Sequence, residues 1–475
     1  MKAATVHWDA THKTVQLKEG VIEKEGDAYG YLNDSLSQTG WSVLEILAGY
    51  GETLELDEVT YFLAGYLEGL LTQMISHYAN MYPQLIKDPE VLGQVERFMV
   101  KQDSWTREQV KLNRSTDPLW HHTGFIVAQM DGLRAGVAHW AKKQGKEPLS
   151  LFAVQFLNAV GDLLDLIPAL MLPGFENLLF SHSSWYTYAS TMHIYKHWDF
   201  YLSEPHTATG KLSFSNYPGF LVSLDDFYLL GSGLMMTQTT NNVFNTSLFS
   251  QVTPHSLLAW QRVRLAHTLS HTGEQWAKTF SRYNSGEGRR KYMIVDMRKV
   301  TLGHSIEDGF SDQTRALRRG YWPSYNVPFH PKIYTLSGYG KMWEEYGEDF
   351  SYDLCPRAKI FRQYQAEVKD LDSLKHIMRY NGYRKDSYSK GDPCKSICCR
   401  NDLREKYPSP GGCYDTKVTD FHMAQEFRAE AVNGPTTQGD LPPFSWEDFN
   451  STAHQGLPDH YDFPFISMQP ALFMP

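Results

Sequence analysis

The sequence predicts an α+β protein in which layers of β-sheet are covered by helices. Three observations predict it. Short β-rich runs fill the segment up to residue 50, apolar residues then recur at helical spacing as far as Pro168, and β-rich texture returns after Pro173.

TVHW and KTVQLK flank a polar turn and read as paired strands, with GWSVLEILAGYG as a third. Val59, Phe62, Leu63, Tyr66, Leu67, Leu70, Leu71 and Met74 fall three and four apart, which predicts a helix opened by Asp57 and Glu58. Further helices are predicted at 89–102, 117–143 and 148–167, the last closed by Pro168, whose ring cannot continue a helix. ENLLFSHSSWYTYAS reads as a strand, and KLSFSNYPGFLVSLDDFYLLGSGLMMTQTTN as several, with Gly231-Ser232-Gly233 as a hairpin turn. A long helix is expected over 256–284 and a buried strand in RRKYMIVDM. The remaining third, rich in Pro, Gly and Tyr, reads as loops and short elements wrapping the core. No internal repeat divides the chain. The expected organisation is one composite domain over 1–475, with a strand-then-helix part at 1–170 and core sheets at 171–475.

The net charge is -9 with a pI near 6.1. That balance excludes a basic footprint for nucleic acid or for an anionic membrane. A hydrophobic share of 42% suits a large packed interior. The opening residues, MKAATVHWDATHKTVQLKEG, have no apolar run behind the first Lys and do not read as a secretory signal. The most apolar stretch, Leu149 to Met171, is interrupted by Asn158, Asp162, Asp165 and Pro168. It therefore reads as a buried core helix and not as a membrane span, which needs about 20 apolar residues.

Four of the five cysteines, Cys394, Cys398, Cys399 and Cys413, crowd into one Pro/Gly/Ser-rich loop. Zinc would want separated CxxC pairs and a His at ligand spacing, so two disulfides fit better, although the cysteines alone leave three connectivities open. Disulfides imply an oxidising compartment. The sequons at Asn33, Asn113, Asn245 and Asn450 point the same way.

Most local motifs have an ordinary reading. His193 and His197 stand four apart but lack the Glu of a metalloprotease helix, so core or surface histidines are the plainer reading. His121-His122 is weaker still, because adjacent residues do not share a helix face. GYGK at 338–341 lacks the spacing of a phosphate loop and reads as a turn. Asp225 and Asp226, if in a strand, point to opposite faces, one into a polar network and one exposed. There is no GxSxG. The strongest signal is FSHSSWYTY: His182, Ser183, Ser184 and Trp185 put polar and aromatic groups inside a core strand, which calls for a hydrogen-bond network or a function.

LPGFENLLFSHSSWYTYAS, IYKHWDF, SFSNYPGFLVSLDDFYLL, QTTNNVFN, RRGYWPSYNVPFH, PRAKIFR, IMRYNGYRKD, GDPCKSICCR and PSPGGCYDTKV together resemble the phospholipase B-like family, in its type 1 branch. The resemblance runs from about residue 5 to about residue 470. It implies a four-layer αββα N-terminal-nucleophile fold and a glycosylated, lysosomal or secreted, monomeric hydrolase. Such an enzyme removes acyl chains from phospholipids, or cleaves related amides, with no cofactor, metal or nucleic acid. It implies a cysteine freed by cleavage as nucleophile, its own α-amine serving as base. HSSW maps to His182 and Trp185 at the active site, Asn241 in QTTNN to an oxyanion donor, and Arg357 in PRAKIFR to a supporting charge. The family pattern pairs Cys394 with Cys399 and Cys398 with Cys413, leaving Cys355 free.

Two internal departures matter. The segment that carries Gly-His-Cys-Ser in relatives is absent between LLDLIPAL and LPGFEN, where Met171 stands. A β-rich segment is absent between Gly309 and Phe310. The expectation is a chain that keeps the site but lacks its nucleophile. An inactive glycoprotein or ligand-binding pseudoenzyme is the alternative. His182 and Trp185 are expected in one pocket, with Asn241 near its wall.

Overall fold

The structure, a computed structural model, describes residues 1–51, 56–81, 88–160, 165–171, 176–284, 290–302, 305–306, 317 and 320–472. Two sheets form its centre. The first is built from β1 (Lys2–Asp9), β2 (Thr14–Glu19), β3 (Ala28–Asn33), β4 (Ser42–Ala48), β7 (Ile194–Phe200), β8 (Lys211–Asn216), β9 (Phe227–Leu230), β10 (Leu234–Thr240) and β11 (Arg290–Asp296). Their order is β11-β10-β9-β8-β7-β4-β3-β1-β2, antiparallel except for the parallel β4–β7 pair that joins the N-terminal strands to the rest. The second sheet contains β5 (Asp165–Met171), β6 (Leu178–Thr187), β12 (Tyr321–Ser324), β13 (Gly411–Cys413), β14 (Asp415–Asp420), β15 (Ala429–Asn433) and β16 (Ile466–Met468). Its order is β12-β5-β6-β14-β15-β16, and β13 also pairs with β6.

Three apolar cores lie on the faces of these sheets. Leu47, Tyr195, Leu229 and Met235 of the first sheet pack with Leu178, Phe180, Ala429 and Ala431 of the second. Alternation along each strand sends the next residues the other way. Leu44, Ile46 and Trp198 turn to helices α1 (Asp57–Leu71), α2 (Pro89–Asn113), α3 (Pro118–Lys143), α4 (Leu151–Ala159), α5 (Ala259–Leu269) and α6 (Gly273–Ser281). Two further helices, α7 (Pro331–Leu336) and α8 (Tyr339–Tyr346), follow β12. Leu179 and Val418 of the second sheet turn to α9 (Pro356–Tyr364) and α10 (Leu371–Met378). α1 and α3 cross at glycines: a Cβ on Gly65 or Gly132 would overlap a backbone carbonyl of the opposite helix.

Helices at 57, 89 and 117 and the Gly231–Gly233 turn between β9 and β10 match the sequence expectations, although α2 runs on to Asn113. The helix expected over 148–167 does not form as one piece. It stops at Ala159, and Asp165–Met171 becomes a strand in which Pro168 stands opposite Pro323. The helix expected over 256–284 breaks between Leu269 and Gly273. Ser270 is extended there, and the Thr272 side chain accepts from the Gln275 backbone N–H to start a new helix. The C-terminal third does not merely wrap the core: β14 and β15 are interior strands of the second sheet. Gly309 and Phe310, where relatives carry an extra segment, fall outside the described residues. No described helix is long and apolar enough to cross a membrane.

Candidate active site

β6 explains itself residue by residue. Its even-numbered positions face the space between the sheets and its odd-numbered ones face α9 and α10. His182 is therefore fully buried between the sheets, opposite Lys417 of β14, and Trp185 packs into the cluster that includes α9. The structure does not bring His182 and Trp185 into one pocket. Three residues apart on a strand, they lie on opposite faces.

Around His182 the two sheets enclose a charged cluster in which every member is buried. The Lys417 ammonium donates to both Asp415 oxygens and to Ser184 Oγ, each at 2.8 Å, and stands 3.8 Å from Asp225. The Ser184 backbone N–H donates to Asp415 Oδ1 at 2.8 Å. The Tyr217 hydroxyl donates to Asp225 and lies 2.7 Å from the Tyr414 hydroxyl. His193 stacks on Trp41 at 4.1 Å, with its nitrogens 3.7 Å from Asp225 and 3.5 Å from Asp415.

Burial sets the protonation states. It pushes Asp225 up to about 6, against the pull of Lys417. It holds His193 down at about 3, and His182 well below the usual histidine range, where Lys417 adds repulsion. Both imidazoles are accordingly neutral. The Gln238 backbone on β10 offers the His182 ring a hydrogen bond that offsets part of this depression. His193, Asp225 and Asp415 are also a metal-type donor set, with atoms within 4.8 Å of one another. Lys417 already supplies the positive charge in their midst, so the set fits an internal ammonium. The Ser184 contact is one of three that Lys417 makes inside this buried ion-pair cluster.

The second assembly lies on the other side of β6. The Arg357 guanidinium sits 4.8 Å over the Trp185 ring and donates to Asn326 Oδ1 at 3.1 Å. Asn326 Nδ2 donates to the Thr240 carbonyl at 2.7 Å, and Tyr339 bridges the Asn326 carbonyl and the Asn242 N–H at 2.8 and 3.0 Å. Asn241, between those two anchor points, is buried, and its Oδ1 has no hydrogen-bond partner among the described residues. Trp185 and Arg357 are thus linked through Asn326 and Tyr339 to the backbone on either side of Asn241, while His182 faces the other side of β6 from Trp185.

The remaining sequence candidates sort simply. His193 precedes β7 and His197 lies within it, so four residues span about 13 Å of strand. His197 contacts Ser213 Oγ at 2.6 Å instead. His121 meets Glu204, and His122 meets Thr207. Gly338, with φ 86, is the turn between α7 and α8. Asp225 and Asp226 are not in a strand and neither is exposed: both are buried in the turn before β9, with Asp226 at φ 49. Cys394–Cys399 and Cys398–Cys413 are bonded, and Cys355 is free and buried. Asn33 and Asn450 are exposed, Asn113 and Asn245 half-buried. Sequence reasoning missed Asp415 and Lys417. The signal was present in CYDTKV, where two opposite charges two apart on a β-run share one face. A cavity of about 720 Å³ lies elsewhere, among α1, α2 and α3, and its Arg107 and Arg114 are paired with Asp131 and Glu58.

These features define an α+β protein with a buried acid–base cluster between its sheets. A family model described as Phospholipase B matches residues 28–468. Phospholipase B-like 1 of Bos taurus is 52% identical, over 99% of this chain and 93% of its own. Phospholipase B of Crotalus adamanteus is 49% identical over 99% and 93%. Phospholipase B-like protein D of Dictyostelium discoideum is 32% identical over 95% and 89%. The chain belongs to the phospholipase B family. The bovine alignment runs over 508 positions, more than the 475 residues present here, so the relative carries residues that have no counterpart in this chain.

Proposed function

We propose that this chain is built as a phospholipid acyl hydrolase and that its internal gap removes the nucleophile. The observation that carries the reading is the family match from 28 to 468, which contains every member of the buried cluster. The succession helices, sheet, sheet, helices in the three cores supports a single composite αββα domain of the N-terminal-nucleophile type. The strand beside β6 is β5, DLIPALM, which offers no thiol or hydroxyl, and the first cysteine in the chain is Cys355. His182 supplies a neutral imidazole, Asn241 an oxyanion donor, Trp185 a wall, and Arg357 the charge that holds Trp185 and the Asn241 loop together. The disulfides and the exposed sequons at Asn33 and Asn450 support a lysosomal or secreted protein, and a monomer is the expected state. An acylated phospholipid is the substrate class.

The test is to express the chain with an added signal peptide beside a version that restores the residues present in the bovine relative. Chain cleavage and fatty-acid release from phosphatidylcholine are followed in both. The restored protein is expected to cleave itself and to hydrolyse lipid. The present chain should do neither beyond the ~10³–10⁴-fold residual catalysis that survives loss of a hydrolase nucleophile. Equal turnover by both would show that the nucleophile lies elsewhere, and no hydrolysis by either would remove the phospholipid assignment.

A further inference from the structure

Helices α7 and α8 each turn an apolar pair, three residues apart, into solvent. Ile333 and Leu336 are 40% and 48% exposed, and Trp343 and Tyr346 are 49% and 57% exposed. Residues three apart share a helix face, so each helix shows one apolar pair on its outer side. The helices themselves are firmly seated. Tyr339, Phe244 and Phe350 pack beneath them, and the Phe244 and Asn245 N–H groups donate to the Ser337 carbonyl at 2.8 and 3.2 Å. Tyr339 also anchors Asn326 and Asn242, so the hairpin is joined by hydrogen bonds to the Arg357–Trp185–Asn241 network.

We propose that this α7–α8 hairpin is the surface by which the protein docks on a zwitterionic phospholipid interface, beside the candidate site. The proposal rests on the phospholipid reading above for its substrate, but not for its geometry. Two features select the occupant. The first is size. At 1.5 Å per residue the two helices are about 9 and 12 Å long, and their open face is on the order of 300 Å². A stable second copy or protein partner needs roughly 800 Å². A bilayer needs no matching surface, and Trp and Tyr favour its boundary with water. The second is charge. Glu348 and Asp349 are held by Lys359 and Lys395, which leaves Lys332 and Lys341 against Glu344 and Glu345. The hairpin is neutral in sum, which suits phosphocholine headgroups and gives no attraction to an anionic surface.

The experiment sediments the full chain with sucrose-loaded phosphatidylcholine vesicles, with and without phosphatidylserine, at low and high salt. Trp343→Ser/Tyr346→Ser and Ile333→Ser/Leu336→Ser are compared with the parent. The parent is expected to bind phosphatidylcholine with little dependence on salt or anionic lipid, and each double variant to bind at least ten-fold more weakly with an unchanged unfolding midpoint. No vesicle binding by the parent, or equal binding by the variants, would overturn the proposal. So would binding that needs phosphatidylserine and vanishes in salt, or a lipid-free dimer that the variants abolish. Because binding requires no turnover, failure of the hydrolase reading shows separately. In the restored protein, the variants should lose vesicle hydrolysis yet keep hydrolysis of a soluble short-chain phosphatidylcholine. Vesicle binding without any hydrolysis would count against the hydrolase reading alone.

Discussion

Replacing Lys417 with methionine tests whether the inter-sheet cluster is held by one internal cation. Methionine keeps the volume and unbranched shape but leaves Asp415 and Asp225 buried together without their counter-charge. Removing one partner of a buried charge pair costs about 3–5 kcal/mol, because the other charge is left uncompensated. The deficit should depend on pH. Asp225 already titrates near 6, and Lys417 is what pulls it down. Without the ammonium its folded-state value rises further above the unfolded one, so the folded state binds protons more tightly. Stability is then retained at low pH and lost as pH rises through the folded value. Urea unfolding at pH 5 and pH 7.5 is the assay, and the deficit should be larger at pH 7.5. Adding Asp415→Asn to Lys417→Met should recover part of the loss by removing the orphaned charge. A deficit below about 1 kcal/mol at both pH values, or no recovery in the double variant, would refute the assignment of Lys417 as the cluster's counter-charge.

Two further outcomes are expected. Burial holds His193 at about 3, below its unfolded value, so the unfolded state binds the extra proton and stability falls as pH drops below about 6.5. His193→Asn should flatten the acid limb between pH 6 and 4.5 by roughly 1 kcal/mol per pH unit, read from urea midpoints; an unchanged slope would mean that the imidazole is not the group titrating. Cys398→Ala with Cys413→Ala opens a loop with a sequence separation of 15 and should cost about 3 kcal/mol by thermal unfolding, with Cys394–Cys399 left intact on mass mapping.

What the sequence determined by itself was whatever is written in local period and turn chemistry. Asp57 and Glu58 opening α1, the apolar spacing of α3, the glycines between β9 and β10 and the four clustered cysteines all act on near neighbours. The long family strings identified the relatives for the same reason: each is contiguous. HSSW stood out because polar residues in a core strand are a local contradiction.

Only the tertiary structure decided what those local pieces meet. Leu149–Met171 is apolar enough for either a helix or a strand, and pairing with β6 and β12 made its second half a strand. The Leu269–Gly273 break is a choice between continuing a helix and starting a new one against β11. His182 and Trp185 read as one motif, yet strand alternation sends one between the sheets and the other to Arg357. The partners of Ser184 lie more than two hundred residues away in Asp415 and Lys417, at separations of 231 and 233. Nothing in the spacing of HSSW or CYDTKV records that they face each other. Only when the two sheets close on each other does Lys417 come to stand between two buried aspartates as their counter-charge, and that energy belongs to the assembled fold.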